Sequence, residues 1–209
     1  WTGVTVDSGG FSTNGGLACP AAQQTLSYDS DGNVTGDGIW AYGWDGENRL
    51  VEMSMTNIAY LPAAQRKKLE FVYDFQGRRV QKVVWTWNGS AFSNPVTNKY
   101  LYDGWTVVAV LGPQSSVIQT FLWGQDLSGT LQGAGGIGGL VGVFEIWNGE
   151  VLNVHFPCYD GNGNVTALVA SDGTFTARYE YGPFGEPIRV SGSAAKANPF
   201  RWSTKFMDE

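Results

Sequence analysis

Apolar and polar residues alternate singly along much of this chain. Leu69, Phe71 and Tyr73 alternate with Lys68, Glu70 and Val72. Phe121 and Trp123 alternate with Thr120 and Leu122, and Tyr179 and Tyr181 with Arg178 and Glu180. A period of two with aromatic residues at the strand ends predicts half-buried β-strands. The Val- and Trp-rich run from Arg78 to Trp87 ends at Asn88-Gly89, a strong hairpin turn. Helical spacing is nearly absent: Pro62 to Leu69 allows a single helical turn and reads better as a loop. The first twenty-five residues are rich in Gly, Ser, Thr and Asn, and Ser191 to Asn198 reads as a surface loop.

The alternating segments are punctuated by a repeat. Tyr-Asp-x-x-Gly occurs at Tyr28-Asp29 with Gly32, at Tyr73-Asp74 with Gly77, and at Tyr159-Asp160 with Gly163. Degenerate copies are Trp44-Asp45-Gly46, Tyr102-Asp103-Gly104, and Tyr181 with Gly185. Asp at the first position and Gly at the fourth suit a type I turn, in which the Asp bonds its own backbone and the Gly takes a positive φ. Each copy therefore predicts a hairpin corner, with the aromatic ending one strand. Tyr28, Tyr73 and Tyr159 are expected in equivalent, largely buried places. From Trp44 to Tyr73 and from Tyr73 to Tyr102 is 29 residues, whereas Tyr102 to Trp123 is 21 and Tyr159 to Tyr181 is 22. A unit of about twenty residues is two strands and two turns, so the longer intervals carry insertions. The expected fold is all-β: successive antiparallel hairpins winding into a spiral sheet, each burying its aromatic face against the next copy. The expected organisation is a Gly/Ser-rich segment at 1–27, the hairpin array at 28–190, and a loop with a truncated further element at 191–209.

Composition narrows the function. Apolar residues make up 43% of the 209, enough for a core. The net charge of −6 argues against a nucleic-acid partner, which needs a basic face. The longest purely apolar run, Val107 to Leu111, is too short to span a bilayer. The chain begins at Trp1 in mid-pattern, as expected of a piece of something longer. Cys19 and Cys158 are a candidate disulfide suited to a secreted protein, and two free buried thiols fit equally well. Asn33, Asn88 and Asn164 stand in Asn-x-Ser/Thr sequons; the first and last belong to the repeat and read as structural.

The ordered motifs from 28 to 209 resemble the Rhs, or YD-repeat, family, in the segment leading into the Rhs-associated core. The stretches that carry the resemblance are Tyr-Asp-Ser-Asp-Gly-Asn-Val-Thr at 28–35, Trp-Asp-Gly-Glu-Asn-Arg-Leu-Val-Glu-Met at 44–53 and Phe-Val-Tyr-Asp-Phe-Gln-Gly-Arg-Arg-Val at 71–80. They continue with Tyr-Leu-Tyr-Asp-Gly-Trp at 100–105, Trp-Gly-Gln-Asp-Leu-Ser-Gly at 123–129 and Tyr-Asp-Gly-Asn-Gly-Asn-Val-Thr-Ala-Leu-Val at 159–169. Tyr-Glu-Tyr-Gly-Pro-Phe-Gly-Glu at 179–186 and Asn-Pro-Phe-Arg-Trp-Ser-Thr-Lys-Phe-Met-Asp-Glu at 198–209 complete the set. The resemblance implies a β-shell that in bacterial relatives encloses a toxic C-terminal domain; related shells occur in insecticidal toxin complexes and in teneurins. Many members end in an aspartyl autoprotease with aspartates in Asp-Pro contexts. No Asp-Pro dipeptide occurs here, and the family's following tyrosine-rich segment is absent, so neither self-cleavage nor enclosure is carried over to this piece.

Other chemistry is thin. Gly133, Gly135 and Gly138 have dinucleotide-binding spacing, but Leu140 to Phe144 reads as a strand where that fingerprint needs a helix. His155 is the only histidine, and with Cys158 and Cys19 makes a poor metal set. On a strand, His155 and Cys158 point to opposite faces, so a strand-end histidine and a core thiol are the simpler reading. The repeated Asp residues already have work as turn caps, and an active site is needed only once. The nine tryptophans read as strand packing rather than a sugar platform.

The expectation is thus a non-catalytic structural module of a secreted or cell-surface protein, with no cofactor and no metal. Its partners are the rest of a parent Rhs protein, or copies of itself added through open β-edges to build a fibre. The alternatives are a carbohydrate-binding or adhesive surface and, behind it, a β-rich glycosidase.

Overall fold

The computed structural model of the chain describes residues 2–8, 11–17, 25–56 and 61–208, the first two segments by backbone alone. Cys19, half of the candidate disulfide, lies outside the described residues. The described residues hold sixteen β-strands and no α-helix. The short helical elements are single 3-10 turns at Ala63–Gln65, Pro113–Ser115 and Trp202–Thr204. The turn at 63–65 is thus helical, but Lys67 onward is already strand. No helix among the described residues is long and apolar enough to cross a membrane.

The first compact unit, Trp1–Thr97, begins with a two-stranded antiparallel sheet of β1 (Thr2–Ser8) and β2 (Phe11–Leu17). Its main strands are β3 (Ser27–Tyr28), β4 (Val34–Gly36), β5 (Trp40–Trp44), β6 (Leu50–Met55), β7 (Lys67–Tyr73) and β8 (Arg79–Trp87). The boundary with the second unit, Asn98–Glu209, falls inside β9 (Phe92–Asp103). The second unit continues with β10 (Thr106–Leu111), β11 (Val117–Trp123), β12 (Leu140–Trp147), β13 (Glu150–Tyr159), β14 (Val165–Ala170), β15 (Phe175–Tyr181) and β16 (Pro187–Ser191). From β3 to β16 the strands lie in chain order, each antiparallel to its neighbour, with β3 and β16 at the ends. Every strand pairs with its neighbour in sequence, most of them across short turns, β6–β7 and β11–β12 across longer loops.

The period-two pattern sorts the faces. In β15 Ala177 and Tyr179 are buried while Arg178 and Glu180 face solvent. In β7 Phe71 is buried and Val72 exposed; in β11 Phe121 is buried and Leu122 exposed. The same turns leave the predicted hairpin at Asn88 intact: its carboxamide oxygen accepts from the N–H groups of Ser90 and Ala91.

The core lies in the second unit. One cluster gathers Tyr100, Val107, Val110, Phe121, Leu140, Val143 and Phe200. A second gathers Val165, Leu168, Ala177, Tyr179, Ala194 and Ala195. One expectation is corrected here. Ser191 to Asn198 is only in part a surface loop: Ser191 to Ser193, Lys196 and Ala197 are exposed, but Ala194, Ala195 and Asn198 are buried, and the Tyr179 hydroxyl donates to Ala195 O. Small residues suit an exposed loop, but they also suit a loop that must press against a sheet. The chain after residue 198 is packed against the sheet. Phe200 is 3% exposed and meets Phe121, Trp123 and Phe206 edge-to-face, with ring centroids 4.9, 5.1 and 5.5 Å away.

Phe200 is thus the tail's anchor in the larger core cluster. Phe200→Ala is expected to cost about 3 kcal/mol of unfolding free energy, the usual penalty for truncating a core aromatic. Urea denaturation of the two proteins measures the difference.

Candidate functional site: the repeated turn and its clamps

Turns along the sheet share one backbone signature. The N–H of the first residue donates to the carbonyl four residues on, and the N–H of the fourth donates back to the first carbonyl. This holds at Asp29, Asp45, Asp74, Asp126, Asp160, Ala170 and Gly182. The fourth residue always has positive φ: Gly32 88°, Asn48 58°, Gly77 79°, Gly129 76°, Gly163 74°, Gly173 85° and Gly185 86°. This is a type I turn followed by a left-handed residue, which inserts a bulge where strands resume pairing. Register shifts beside Tyr28, Trp44, Tyr73, Tyr159 and Tyr181 mark those bulges. Gly163 is also forced by space, since a Cβ there would lie 2.6 Å from Ile137 Cγ2.

The aspartate does more than cap. In four copies Oδ1 accepts the N–H groups two and four residues on, and Oδ2 accepts a side-chain N–H from the residue four on. The partners of Oδ2 are Asn33 Nδ2 at 3.1 Å, Arg49 Nε at 2.8 Å, Arg78 Nε at 2.8 Å and Asn164 Nδ2 at 2.7 Å. The clamping residue then reaches the next turn: Asn33 Nδ2 donates to Asn48 Oδ1, and Arg49 Nη1 to Asp74 O. The carboxyls of Asp29 and Asp45 are held below their usual range first by the N–H four residues on. Burial pushes those of Asp74 and Asp160 up, and the side chain and N–H of Arg78 and Asn164 outweigh it. The Asp–clamp pairing escaped sequence reading because the clamp is Asn in two copies and Arg in two. Aligning the copies on the aspartate would have placed an N–H donor at the same offset in each. Asn33 and Asn164, which head two sequons, spend their carboxamides on this clamp.

The aromatic that ends the strand before the turn is a second device. Trp44 Nε1 donates to Val34 O, the Tyr73 hydroxyl to Leu50 O, Trp123 Nε1 to Val107 O, the Tyr159 hydroxyl to Leu140 O and the Tyr181 hydroxyl to Val165 O, at 2.5–2.8 Å. Each accepting residue lies opposite the preceding aromatic, at its bulge: Val34 faces Tyr28, Leu50 faces Trp44, Val107 faces Tyr102, Leu140 faces Trp123 and Val165 faces Tyr159. A bulge unpairs a ladder carbonyl, and the next repeat's ring supplies the missing donor. This explains why the position holds Tyr or Trp, whose rings carry a polar hydrogen at the far end. Burial pushes the Tyr159 and Tyr181 phenols up.

Three positions depart from expectation. Tyr28 is 57% exposed rather than buried. It sits on the end strand β3, so its ring has no earlier strand of that sheet to reach. Asp103 does not form the common turn. Asp103 pairs directly with Thr106 across Gly104-Trp105, and its carbonyl accepts from Thr106 Oγ1 and Gln132 Nε2. Cys158 is exposed on β13, not a core thiol. His155, three residues before it, is buried on the opposite face.

The glycine-rich loop after β11 is closed on itself. Asp126 Oδ1 accepts the Ser128 hydroxyl and N–H, and Oδ2 accepts the N–H groups of Ala134 and Gly136. N–H groups that could have cradled a phosphate are bonded to a carboxylate from the same loop. The Ser128 hydroxyl, then the Ser128, Gly136 and Ala134 N–H groups, hold the Asp126 carboxyl down to about 2 against burial. The tail then fastens this loop to the turn at Asp160. Thr204 Oγ1 accepts from the Gly138 N–H and donates to Gly163 O, the Ser203 N–H donates to Asn164 Oδ1, and Lys205 Nζ donates to Gly135 O. Among the described residues no group of three His, Cys, Asp or Glu side chains is placed to hold a metal. What the arrangement does chemically is satisfy its own polar groups.

No family model matches the chain. Over 189 residues, 89% of its length, it is 29% identical to the tRNA3(Ser)-specific nuclease WapA of Bacillus spizizenii and to the tRNA nuclease WapA of Bacillus subtilis strain 168. The chain spans only 7% of the length of these relatives. Among solved structures it resembles a TcdB2-TccC3-Cdc42 structure, at a TM-score of 0.61 and 14% identity, over 87% of this chain and 8% of that one. A Photorhabdus luminescens Tc holotoxin pore matches at a TM-score of 0.60 and 14% identity, over 87% of this chain and 8% of that one. These likenesses show a shared all-β fold.

Two outcomes follow from the clamps. Tyr73→Phe keeps the ring but leaves Leu50 O without its donor, and is expected to cost about 1 kcal/mol by denaturant titration. The folded Asp126 carboxyl sits near 2 against an ordinary 3.8. Its stabilising effect is therefore full above about pH 4 and is lost as pH falls towards 2. Thermal melts from pH 5 to pH 2 should show a smaller acid loss in Asp126→Asn than in the wild type.

Proposed function

We propose that this chain is a non-catalytic wall segment of a secreted or cell-surface Rhs-type toxin protein. One observation carries the reading: the repeated carboxylates at 29, 45, 74 and 160, the residues best placed to look like an active site, have both oxygens bonded within their own turns. A group so engaged, with three N–H donors on its two oxygens, holds a corner. The strand order supports the same reading, since a sheet built of consecutive hairpins lengthens by adding further hairpins at either end. The fold shared with TccC3-containing structures and the likeness to a small part of each WapA protein agree with a segment of a longer wall. The nuclease named for WapA then belongs to other parts of those chains. The reading assigns no reaction and no cofactor to this segment.

The partner in this reading is more of the same wall, docked on a strand edge. β16 is the end strand, and all five of its residues are exposed, Ile188 and Val190 among them. An open edge with apolar side chains recruits another strand. Isolated from its parent, the chain should associate, either with neighbouring hairpins supplied in trans or with itself.

Light scattering on the purified chain across a hundredfold concentration range, about 1 to 100 μM, a span in which open β-edges associate, tests this. Growth in mass with concentration, reversed by the double substitution Ile188→Lys and Val190→Lys, is the expected result. A monomer throughout would sink the edge-docking part of the reading. Cleavage of tRNA by the purified chain would sink the non-catalytic part.

A further inference from the structure

Five rings of this chain donate to a carbonyl of the preceding hairpin: Trp44, Tyr73, Trp123, Tyr159 and Tyr181. The strands at these joints also keep one register. The residue two after the acceptor pairs with the residue three before the ring: Gly36 with Ala41, Glu52 with Glu70, Ala109 with Thr120 and Ala167 with Arg178. At the fifth joint Val143 pairs with His155, one step further along the same register. Bond and register together define the joint, and both recur in the two units of the chain.

The end strands of the sheet each carry half of such a joint. β3 ends in Tyr28, which has the ring's place at its turn but no earlier strand of that sheet to reach. Leu26 stands two residues before it, as Phe71, Phe121 and Tyr179 stand before Tyr73, Trp123 and Tyr181. Those three are buried, whereas Leu26 is 43% exposed. Leu26 thus holds a core position without the strand that would cover it. At the other end β16 begins with Pro187, opposite Tyr181 and beside a register shift. Val34, Leu50, Val107, Leu140 and Val165 occupy that place at the other joints, and their carbonyls accept the rings. No strand of the sheet follows β16 to supply a ring to Pro187. Proline has no N–H, but the joint asks this residue only for its carbonyl. Pro187 is exposed, as is all of β16.

Donor half and acceptor half therefore belong to one chain, at opposite ends of its strand order, and within one copy β3 and β16 are not paired. We infer that a second copy completes the joint: the Tyr28 hydroxyl of one copy donates to Pro187 O of another, with Thr25 of the first opposite Arg189 of the second. This rests on the edge-docking reading above and adds the partner, the direction and the register. β16 of one copy then lies antiparallel to β3 of the next, as β6 lies to β7. The contact is head-to-tail, with a different surface on each copy, so every assembly keeps one open half-joint at each end unless it closes into a ring.

Thr25 and the Arg189 side chain are exposed, so cysteines placed there can report the register. Directly opposite residues of an antiparallel pair lie about 4.5–5.5 Å apart at Cα, within disulfide reach, whereas diagonal neighbours about 7–8 Å apart lie beyond it. Cys19→Ser and Cys158→Ser first remove the native thiols. In that background, ¹⁵N-labelled Thr25→Cys protein is mixed with unlabelled Arg189→Cys protein in a glutathione redox buffer, and mass spectrometry counts the mixed dimers. Each protein has a single cysteine, so only contacts between copies score. The expected result is several-fold more mixed dimer than when Ser191→Cys, two residues along the same strand, replaces Arg189→Cys. Tyr28→Phe, in the chain with its native cysteines, should weaken self-association measured by light scattering about fivefold, the loss of one hydrogen bond. It should leave the melting of the dilute chain unchanged, because the ring is exposed there. Circular dichroism reports that each variant is folded. Association without preference for the 25–189 pair, or undiminished in Tyr28→Phe, overturns this inference and leaves the edge-docking reading standing. A monomer at every concentration overturns both.

Discussion

Everything in this sheet turns on one unpaired carbonyl. The left-handed residue that closes each hairpin inserts a bulge, and a bulge takes a backbone oxygen out of the ladder. In an isolated hairpin that oxygen would go to water. At Val34, Leu50, Val107, Leu140 and Val165 the Tyr or Trp of the following repeat donates to it, so those hairpins are completed by their successors. Hydrogen bonding, not apolar burial alone, thereby fixes the spacing of the hairpins. Leu50 and Tyr73 illustrate it in the first unit, and Leu140 and Tyr159 in the second.

This constraint also disposes of most of the polar chemistry. An aspartate at a turn tip, on the surface of an acidic protein, looks available. In four copies both oxygens are occupied, and at Asp126 the glycine-rich loop folds back to occupy them. A carboxylate that accepts several N–H bonds is stabilised in its charged form and resists protonation, which is why these groups titrate low. They are parts of the scaffold, each holding its corner in one geometry.

The turn chemistry and the alternation were legible because both are local. Asp29 and Gly32 are three residues apart, and the faces of Tyr179 and Arg178 follow from the pleat. What escaped was set at a distance. The clamp at position five of the turn changes residue type from Asn33 to Arg49. The donor role of Tyr73 depends on a carbonyl 23 residues earlier. The burial of Ala194 and Asn198 depends on Tyr179. Tyr28 carries the full motif and is nevertheless exposed, because a motif specifies a turn and not the presence of a neighbouring strand.

The tail has a consequence for timing. Its hairpins can each form from adjacent residues as soon as they are made, since their contacts close short loops. The larger core of the second unit is different. Phe121 waits for Phe200, and Gly138 waits for Thr204. Until residues 198–206 are present, strands from β9 to β14 have local pairing but an open aromatic face. A ribosome or a secretion channel that still holds those nine residues holds the whole second unit short of its packed state.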